Sequence, residues 1–269
     1  MDLLKVENTS KYFYIPEKKE QFCVFKDVSF SVKEKEFVAV LGHSGCGKST
    51  LLNIVAGIET ASDGYCYLDG KEIVGPGLDR MVVFQNFALM PWLSVSGNIR
   101  LAVKSAFRDW DRHKVNGWVQ KYIDMVGLVG SENKKPSALS GGMRQRVGLA
   151  RAFSVKPRIL LLDEPFAQID ALTRGVIQEE LVRMWTETGT TIFMVTHDVD
   201  EAILLSDRIM LMSPGPEAKI KEHIKVDIPR PRARTTVIEH PGYYAIRNRI
   251  IRFLSRKTDE REREVPLVA

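Results

Sequence analysis

The sequence predicts an α/β fold in which an antiparallel β subdomain precedes a parallel-sheet core, and an α-helical subdomain is inserted into that core. Apolar and polar residues alternate along parts of residues 3–32, as they do in half-buried antiparallel strands. Residues 37–41 are continuously apolar, which is typical of a buried parallel strand. Strand-like and helical segments alternate again from residue 159, whereas residues 94–156 show only helical patterns.

The individual elements are predicted from apolar spacing and from turn residues. Strands are expected at 3–8, within 22–40, and at 82–84, 159–162, 191–196 and 209–212, with a last strand after the turn Pro214-Gly215-Pro216. Helices are expected at 48–56, across 94–156, at 173–188, from 198 and from about 240. These strands and helices are predicted to form three parts: a core with the β subdomain (1–85 and 157–224), a helical subdomain (86–156) and a basic tail with an amphipathic helix (225–269).

The composition is that of a globular protein in a reducing compartment. The 269 residues are 44% hydrophobic and 27% charged, which suits one large core with a subdomain. No apolar run approaches the roughly 18 to 20 residues that span a bilayer, and the first residues lack the layout of a signal peptide. We therefore expect a cytosolic protein that reaches a membrane only through a partner. The three cysteines are irregularly spaced, which argues against a disulfide framework or a zinc site.

The net charge of +5 is concentrated in the tail. Residues 225–269 carry 11 Lys/Arg and 6 Asp/Glu, so the first 224 residues are neutral overall. A basic tail can meet nucleic acid, anionic lipid or an acidic partner, and it can equally be a solvated helix face. The predicted tail helix has an apolar face, which favours packing on the body of the protein over contact with lipid headgroups. That face is formed by Tyr243, Ile246, Ile250, Phe253 and Leu254.

A glycine-rich loop lies between the strand at 37–41 and the helix at 48–56. Its pattern, Gly42-x4-Gly47-Lys48-Ser49, is that of a phosphate-binding loop in the strand–loop–helix context that this function requires. Glycines let backbone N–H groups point at phosphate oxygens, and the positive end of the helix adds to the attraction. Lys48 is expected to reach the β- and γ-phosphates, and the hydroxyl of Ser49 to ligate Mg²⁺. We assign nucleotide contact to Gly42, Ser44, Gly45, Cys46, Gly47, Lys48, Ser49 and Thr50.

Two further side chains of the loop, His43 and Cys46, are considered as spacers or as chemically active groups. His43 is a variable spacer that we do not expect to be catalytic. Cys46 is either an inert spacer or a reactive group, because the positive helix start could lower the pKa of its thiol. In the second case, alkylation of Cys46 would block nucleotide binding.

Two adjacent carboxylates follow the apolar strand at 159–162. The strand delivers Asp163 to the carboxyl edge of the sheet, where ligands sit in open α/β folds. Asp163 is expected to hold Mg²⁺ directly or through water. Glu164 is expected to point elsewhere, toward the water that attacks the γ-phosphate. Downstream of a phosphate-binding loop, this functional interpretation outweighs that of a solvated acidic pair.

The stretch Leu139-Ser140-Gly141-Gly142-Met143-Arg144-Gln145 resembles the signature motif of ATP-binding cassette (ABC) proteins. Together with the loop and the acidic pair, it makes the chain similar to the ATP-binding subunit of an ABC importer, from about residue 3 to 255. The resemblance implies that the phosphate belongs to ATP. It also implies a P-loop NTPase of the ABC ATPase type with a RecA-like core.

The resemblance implies roles for three further residues. Gln85, in Val83-Phe84-Gln85-Asn86, matches the Q-loop glutamine, which senses the γ-phosphate through Mg²⁺ and water. His197, in Thr196-His197-Asp198, matches the switch histidine that contacts the γ-phosphate. Phe13 matches the aromatic residue that stacks on adenine, with Tyr12 and Tyr14 as close rivals.

In the family, the signature residues act across a dimer. Ser140, Gly141 and Gly142 are therefore expected to contact the ATP held by the other subunit's loop, on a twofold axis. The D-loop departs from the usual Ser-Ala-Leu-Asp, because it is Ala167-Gln168-Ile169-Asp170 here. Asp170 is kept and is assigned to the nucleotide-binding residues. We expect a change in communication or rate and not a loss of hydrolysis, because Glu164 and His197 are both present.

A narrower resemblance is to the nitrate, bicarbonate, sulfonate and taurine importers. It rests on segments such as Met90-Pro91-Trp92-Leu93 and Asp170-Ala171-Leu172-Thr173-Arg174. Gly215-Pro216-Glu217-Ala218 and His240-Pro241-Gly242-Tyr243-Tyr244 are similar to the nitrate/bicarbonate branch. This implies an ATP hydrolase that powers import of a small inorganic anion, with nitrate or nitrite as the main candidate and bicarbonate, sulfonate or taurine as alternatives.

The resemblance also implies partners and a location. They are an integral-membrane permease, a second ATPase subunit that is identical or related, and indirectly an extracytoplasmic solute-binding protein, at the cytoplasmic face of the plasma membrane. The apolar cluster within 87–93 is a candidate contact for the permease and could equally be core.

Other functions for a phosphate-binding loop remain as rivals. An ABC ATPase acting on nucleic acid is supported only by the basic tail, so we expect no nucleic-acid partner. A GTPase would need a guanine-reading Asn-Lys-x-Asp, and Asn133-Lys134-Lys135-Pro136 ends in proline. A kinase or a nucleotide-sensing module does not account for the signature, Glu164 and His197 together.

Overall fold

The computed structural model describes residues 2–17 and 19–263, with side chains described as far as residue 255. Its ten strands are β1 (Asp2–Ile15), β2 (Glu20–Lys33), β3 (Phe37–Gly42), β4 (Asp63–Leu68), β5 (Lys71–Glu72), β6 (Arg80–Val83), β7 (Ile159–Asp163), β8 (Thr191–Thr196), β9 (Arg208–Met212) and β10 (Ile220–Lys225). Its α-helices are α1 (Lys48–Ala56), α2 (Val95–Ala106), α3 (Arg112–Met125), α4 (Gly141–Ser154), α5 (Ala171–Thr188), α6 (Val199–Leu205), α7 (Arg234–Val237) and α8 (Pro241–Arg263), and Pro136–Ala138 forms a 3₁₀ turn.

The chain divides into two compact units. The first contains Met1–Gly75 and Met194–Ala269, and the second contains Pro76–Phe193. The six residues 264–269, which end the predicted basic tail, lie outside the described part of the chain.

The first unit contains a four-stranded antiparallel sheet in the order β2-β1-β4-β5. The predicted strand at 3–8 is confirmed, but β1 continues to Ile15 because its second half pairs with β2, including Phe13 opposite Phe22. The register shifts between Val6 and Tyr12, and these irregularities interrupt the apolar alternation that a sequence pattern can detect. The extension places Phe13 within a strand.

The first unit also contains β3, β9 and β10. β3 pairs with β9 in parallel, and β9 pairs with β10 antiparallel, so the predicted final strand pair is confirmed. Every residue of β3 is buried, as its continuous apolar run predicts. The predicted helix at 48–56 is confirmed as α1, which ends at Gly57 with a φ of 75°. The strand therefore delivers the glycine-rich loop directly to a helix start.

The helix predicted in the tail packs within the first unit, to which it belongs. The predicted amphipathic helix is confirmed as α8, which begins at Pro241. Its residues Tyr243 and Ile250 are buried, so the apolar face packs on the protein as predicted.

The second unit combines a parallel strand pair with a helical layer. β6 pairs with β7 in parallel, and Ile159 to Leu162 of β7 are fully buried. The predicted helical segment 94–156 forms α2, α3, the 3₁₀ turn and α4. Their apolar faces form a core that includes Ile99, Val103, Val119, Ile123, Val147 and Phe153. None of the described helices is long and apolar enough to cross a bilayer.

A buried amide organises the segment between β6 and α2. Asn98 is fully buried, and its Nδ2 donates to the carbonyl oxygens of Met90 (3.3 Å), Leu93 (3.2 Å) and Ser94 (3.0 Å). Its Oδ1 accepts the backbone N–H of Met90 at 2.8 Å. Arg151 of α4 donates to the carbonyl oxygen of Ala88 at 2.7 Å from the other side. The segment is therefore held by side-chain hydrogen bonds where it has no strand partner.

We predict that Asn98→Ala lowers the free energy of unfolding by about 2 kcal/mol, because it removes the hydrogen bonds of a fully buried amide and takes the acceptor from the N–H of Met90. Asn116→Ala is the matched control, since the Asn116 amide is exposed and accepts a hydrogen bond from the half-buried Arg100. The control is expected to change stability by less than about 0.5 kcal/mol. Urea unfolding of both variants measures the difference, and equal midpoints would contradict a structural role for the Asn98 amide.

Candidate functional site

The glycine-rich loop has the backbone shape that an anion-binding turn requires. Gly45 and Gly47 have φ values of 77° and 97°, in the left-handed region that favours glycine. A Cβ atom on Gly47 would lie 2.5 Å from Cγ1 of Val24, so no other residue fits there. Gly47 precedes α1, and within the described residues no side chain caps that helix. The N-cap position of α1 is thus a glycine without a capping side chain, as at helix starts that bind phosphate.

The ammonium group of Lys48 is held at this loop. Lys48 is only 5% exposed, and its Nζ donates to the carbonyl oxygens of Gly42 (2.9 Å) and His43 (3.0 Å). A phosphate oxygen near the loop would meet both this charge and the N–H groups of α1. Ser44 and Ser49, on either side, are exposed.

Cys46 is a packing residue and not an activated thiol. Its side chain is 1% exposed, and burial raises the pKa of its thiol. The positive charge of Lys48 and local N–H groups act in the opposite direction but are outweighed by desolvation. The hypothesis that the helix start lowers this pKa is therefore wrong, and the spacer interpretation holds.

The chain turns between the two predicted carboxylates at the end of β7. Asp163 is the last residue of the strand, and Glu164 has a φ of 44°, which is uncommon for a residue with a side chain. This left-handed turn changes the direction of the chain between the two residues. Both side chains are half-buried. Glu164 therefore adopts a strained backbone conformation directly after the strand.

The signature segment and the D-loop lie together in the second unit. Ser140 caps α4, because its Oγ accepts the N–H of Met143 at 3.2 Å. A Cβ atom on Gly141 would lie 3.3 Å from the carbonyl oxygen of Gln168, and one on Gly142 would lie 2.3 Å from Cγ2 of Thr173. A side chain at Gly142 would clash with Thr173, and one at Gly141 would be a tight fit against Gln168. The unusual Gln168 takes part in this packing through its backbone.

Asp170 has a structural use in the same region. It caps α5 by accepting the N–H of Thr173 at 3.0 Å, and hydrogen bonds from Thr173 lower the pKa of its carboxyl group. Asp170, the D-loop residue that matches the usual motif, thus fixes the start of α5 beside the signature glycines.

Gln85, His197 and Phe13, the remaining residues predicted to contact the nucleotide, have solvent-exposed side chains. Gln85 follows β6 and His197 follows β8, and both are exposed. Phe13 is 42% exposed, and Nζ of Lys11 lies 4.8 Å from its ring centroid. Tyr14 is 62% exposed, so it stays a rival of Phe13 for stacking on a base.

The candidate residues divide between the two units. The first unit carries Phe13, the loop residues 42–50 and His197, and the second carries Gln85, Ser140, Gly141, Gly142, Asp163, Glu164 and Asp170.

The residues predicted to bind Mg²⁺ offer the kind of donor atoms that a hard cation prefers when nucleotide phosphates supply its other ligands. Among the described residues, no three His, Cys, Asp or Glu side chains form a group able to hold a metal ion. The predicted donors are the hydroxyl of Ser49, the amide of Gln85 and the carboxylate of Asp163, which all offer oxygen. Mg²⁺ prefers such oxygen donors together with phosphate and water.

Two contacts near the predicted site have no local sequence signal. His43 Nε2 lies 3.0 Å from the carbonyl oxygen of Leu254 in α8. Asp200, three residues after His197, accepts a hydrogen bond from Tyr243 at 2.7 Å. Both join segments that are distant along the chain, which motif spacing does not reveal.

Comparisons with known proteins identify the family. The profile of the family described as "ABC transporter" matches residues 25–167. The bicarbonate transport ATP-binding protein CmpC of Synechococcus elongatus is 50% identical over 252 residues, which is 94% of this chain and 38% of that protein. The nitrate import ATP-binding protein NrtD of the same organism is 46% identical over 242 residues, which is 90% of this chain and 88% of that protein.

Among solved structures, ATP-binding cassette proteins have folds similar to that of this chain. The dimeric ATP-binding cassette MJ0796 bound to ADP and Pi is 30% identical with a TM-score of 0.74, over 84% of this chain and all of that one. The cbiO1 protein of Clostridium perfringens, described as part of the transporter complex cbiONQ, is 27% identical with a TM-score of 0.71, over 84% of this chain and 89% of that one. These similarities confirm the predicted ABC ATPase fold.

The chain spans 38% of the length of CmpC and 88% of the length of NrtD, and the two similarities run along almost all of its own sequence. The matched region, residues 25–167, contains the glycine-rich loop, the strand-end carboxylates and the glycine-rich start of α4. The chain therefore belongs to the ABC transporter family.

Proposed function

We propose that this chain is the ATP-hydrolysing subunit of an ABC importer for a small inorganic anion. The observation that supports this proposal best is the similarity at 45–50% identity to proteins named for nitrate and for bicarbonate transport. Nitrate is the main candidate for the transported anion. Bicarbonate is the second, because relatives with that name are equally similar.

The glycine-rich loop is proposed to bind the phosphates of ATP. The N–H groups at the start of α1 and the ammonium of Lys48 supply positive charge where the phosphates would lie. Binding would replace the contacts of Lys48 with the carbonyl oxygens of Gly42 and His43 by stronger contacts with phosphate. The exposed ring of Phe13 is proposed to stack on adenine.

Mg²⁺ is proposed to be held by Ser49, Gln85 and Asp163 together with the phosphates. The ion would neutralise charge on the β- and γ-phosphates. Glu164, which adopts a left-handed backbone conformation directly after Asp163, is proposed to orient and deprotonate the attacking water. His197, exposed directly after β8, is proposed to contact the γ-phosphate.

The second half of each nucleotide pocket is proposed to come from another cassette, identical or related. The start of α4 supports this role, because its N–H groups and the Ser140 hydroxyl can face a γ-phosphate. Gly141 and Gly142 allow α4 to lie against the D-loop, so nucleotide contact and the D-loop would move together. The related MJ0796 cassette, which is a dimer with bound ADP and Pi, gives the proposal a precedent.

The permease is proposed to contact the segment after Gln85. Trp92 is exposed there, whereas Phe87 is buried, so the apolar cluster is partly surface and partly core. Asn98 and Arg151 hold this segment, and closure of the cassettes would carry it as one piece. We place the subunit at the cytoplasmic face of the plasma membrane, in a complex that also depends on an extracytoplasmic solute-binding protein.

We predict that Glu164→Gln lowers ATP turnover about a thousand-fold while ATP binding is retained, because the general base is lost and the phosphate contacts are not. Without hydrolysis, the variant is expected to accumulate as an ATP-dependent dimer in size-exclusion chromatography. Glu179→Gln, an exposed change on α5, is the control and is expected to keep its turnover within about twofold. Phosphate release by Glu164→Gln at the rate of the unaltered chain would contradict the assignment.

We predict that Ser140→Asp abolishes turnover and that Ser140→Asn retains most of it. Both residues cap helices well, so α4 keeps its start in both variants. Only Asp places a negative charge against the γ-phosphate, and the expected loss is at least about a hundred-fold. Thermal unfolding and ATPase rates measured side by side separate the two effects. Equal rates for the isosteric pair would mean that Ser140 does not face phosphate.

The transported anion is tested by uptake in a strain that lacks this gene. Complementation with the unaltered chain is expected to restore uptake of labelled nitrate, and Glu164→Gln is expected to restore none. Restoration of labelled bicarbonate uptake alone would favour the second candidate. Restoration of neither anion would contradict the proposal.

A further inference from the structure

Helix α8 contacts two segments that carry predicted phosphate-binding residues, and all three lie in the first unit. One contact is made by His43, which lies inside the glycine-rich loop and reaches the carbonyl oxygen of Leu254 at 3.0 Å. The other is made by Asp200, which accepts hydrogen bonds from Tyr243 (2.7 Å) and Arg247 (3.0 Å). The helix therefore bridges the loop and the segment that follows His197.

The contact at Asp200 is coupled to His197 through a short hydrogen-bonded turn. Asp198 caps α6 by accepting the N–H groups of Asp200 (2.9 Å) and Glu201 (3.0 Å). The hydroxyl of Thr196 donates to Glu201 at 3.1 Å and accepts the N–H of Asp198 at 3.0 Å. Residues on both sides of His197 are thus tied to the first turn of α6, so a shift of Asp200 would be transmitted to His197.

Tyr243 is suited to fix that turn. It is only 4% exposed, and burial, together with its hydrogen bond to Asp200, raises the pKa of its hydroxyl to about 12. The hydroxyl therefore remains a proton donor at any physiological pH. Arg247 adds a second donor to the same oxygen of Asp200.

The opposite end of α6 is held by the chain between β10 and α8. The guanidinium of Arg232 donates to the carbonyl oxygens of Ile203 (3.0 Å) and Ser206 (2.6 Å). Arg230 contacts Asp207 at 2.8 Å. A cation at the carboxyl end of a helix satisfies its last carbonyl groups. The helix that follows His197 is therefore fixed at both ends by residues of the tail.

The contact at His43 is coupled to Lys48. The ring of His43 meets α8, and its backbone carbonyl oxygen accepts from Nζ of Lys48 at 3.0 Å. A change in the position of His43 would therefore displace an acceptor of the ammonium group that the proposed function assigns to the phosphates.

We propose that His43, Tyr243 and Arg247 are positioning residues, through which α8 holds the phosphate-binding loop and the segment of His197 in the arrangement that ATP hydrolysis requires. The inference rests on the proposed function. It gives the tail a role in the reaction beyond packing, because preorganised groups act only when their supports are fixed.

The two ends of α8 are expected to affect different kinetic constants. His43→Ala removes the support of the loop and is expected to raise KM for ATP roughly two- to ten-fold with a smaller change in kcat. Tyr243→Phe combined with Arg247→Ala releases the turn at Asp200 and is expected to lower kcat by a similar factor with KM nearly unchanged. His43→Gln is expected to restore KM, since its amide can donate to the carbonyl oxygen of Leu254.

Arg249→Ala is the matched control. Arg249 lies on the same helix and forms a comparable ion pair, 2.9 Å from Glu222 of β10, which belongs to neither segment. It is expected to leave kcat and KM within about twofold. Thermal unfolding of all variants shows whether a lost activity follows a lost fold.

The outcomes separate this inference from the proposed function. If the unaltered chain does not hydrolyse ATP, the proposed function fails. If it does, and the His43 and Tyr243/Arg247 variants match it or change kcat and KM only in proportion to their folded fraction, the inference is wrong. The split between KM and kcat, with rescue by His43→Gln, is the result that supports it.

Discussion

The presentation of backbone N–H groups at helix starts is the constraint on which the rest of this structure depends. Ser140, Asp170 and Asp198 cap α4, α5 and α6 with side-chain oxygens, whereas within the described residues no side chain caps α1. The start of α1 has instead Gly47 in a left-handed conformation and the ammonium of Lys48 beside it. An anion is a natural partner of a helix start of this kind, and this supports the proposal that the start of α1 binds phosphate.

Two glycines pack closely against side chains of neighbouring elements. Gly47 lies against Val24 of the antiparallel sheet, and Gly142 lies against Thr173 of α5, in both cases too near for any side chain. Each contact ties a loop predicted to bind nucleotide to a neighbouring element. Glu164 has a strained left-handed conformation directly after Asp163, and the two carboxylates are predicted to have different roles.

Sequence patterns predicted the parts of this arrangement that depend on local chemistry. Helix α1 and the strand pair β9–β10 were predictable because glycines, apolar runs and turn residues mark their ends. The extension of β1 to Ile15 was not, because irregular pairing breaks its alternation. The raised pKa of Cys46 depends on burial that only the packed structure defines. The contact of His43 with Leu254 joins residues 211 positions apart, and no local signal encodes it.

The central claim is that two cassettes share each nucleotide pocket, one through its glycine-rich loop and the other through the start of α4. The most direct test mixes two inactive variants, Lys48→Ala and Ser140→Asp, and measures ATP turnover. A mixed dimer would contain one pocket with both defects and one with neither. Turnover should then recover to roughly a quarter of that of the unaltered chain, since half of randomly formed dimers are mixed and each holds one intact pocket. A mixture no more active than its two components would contradict the claim.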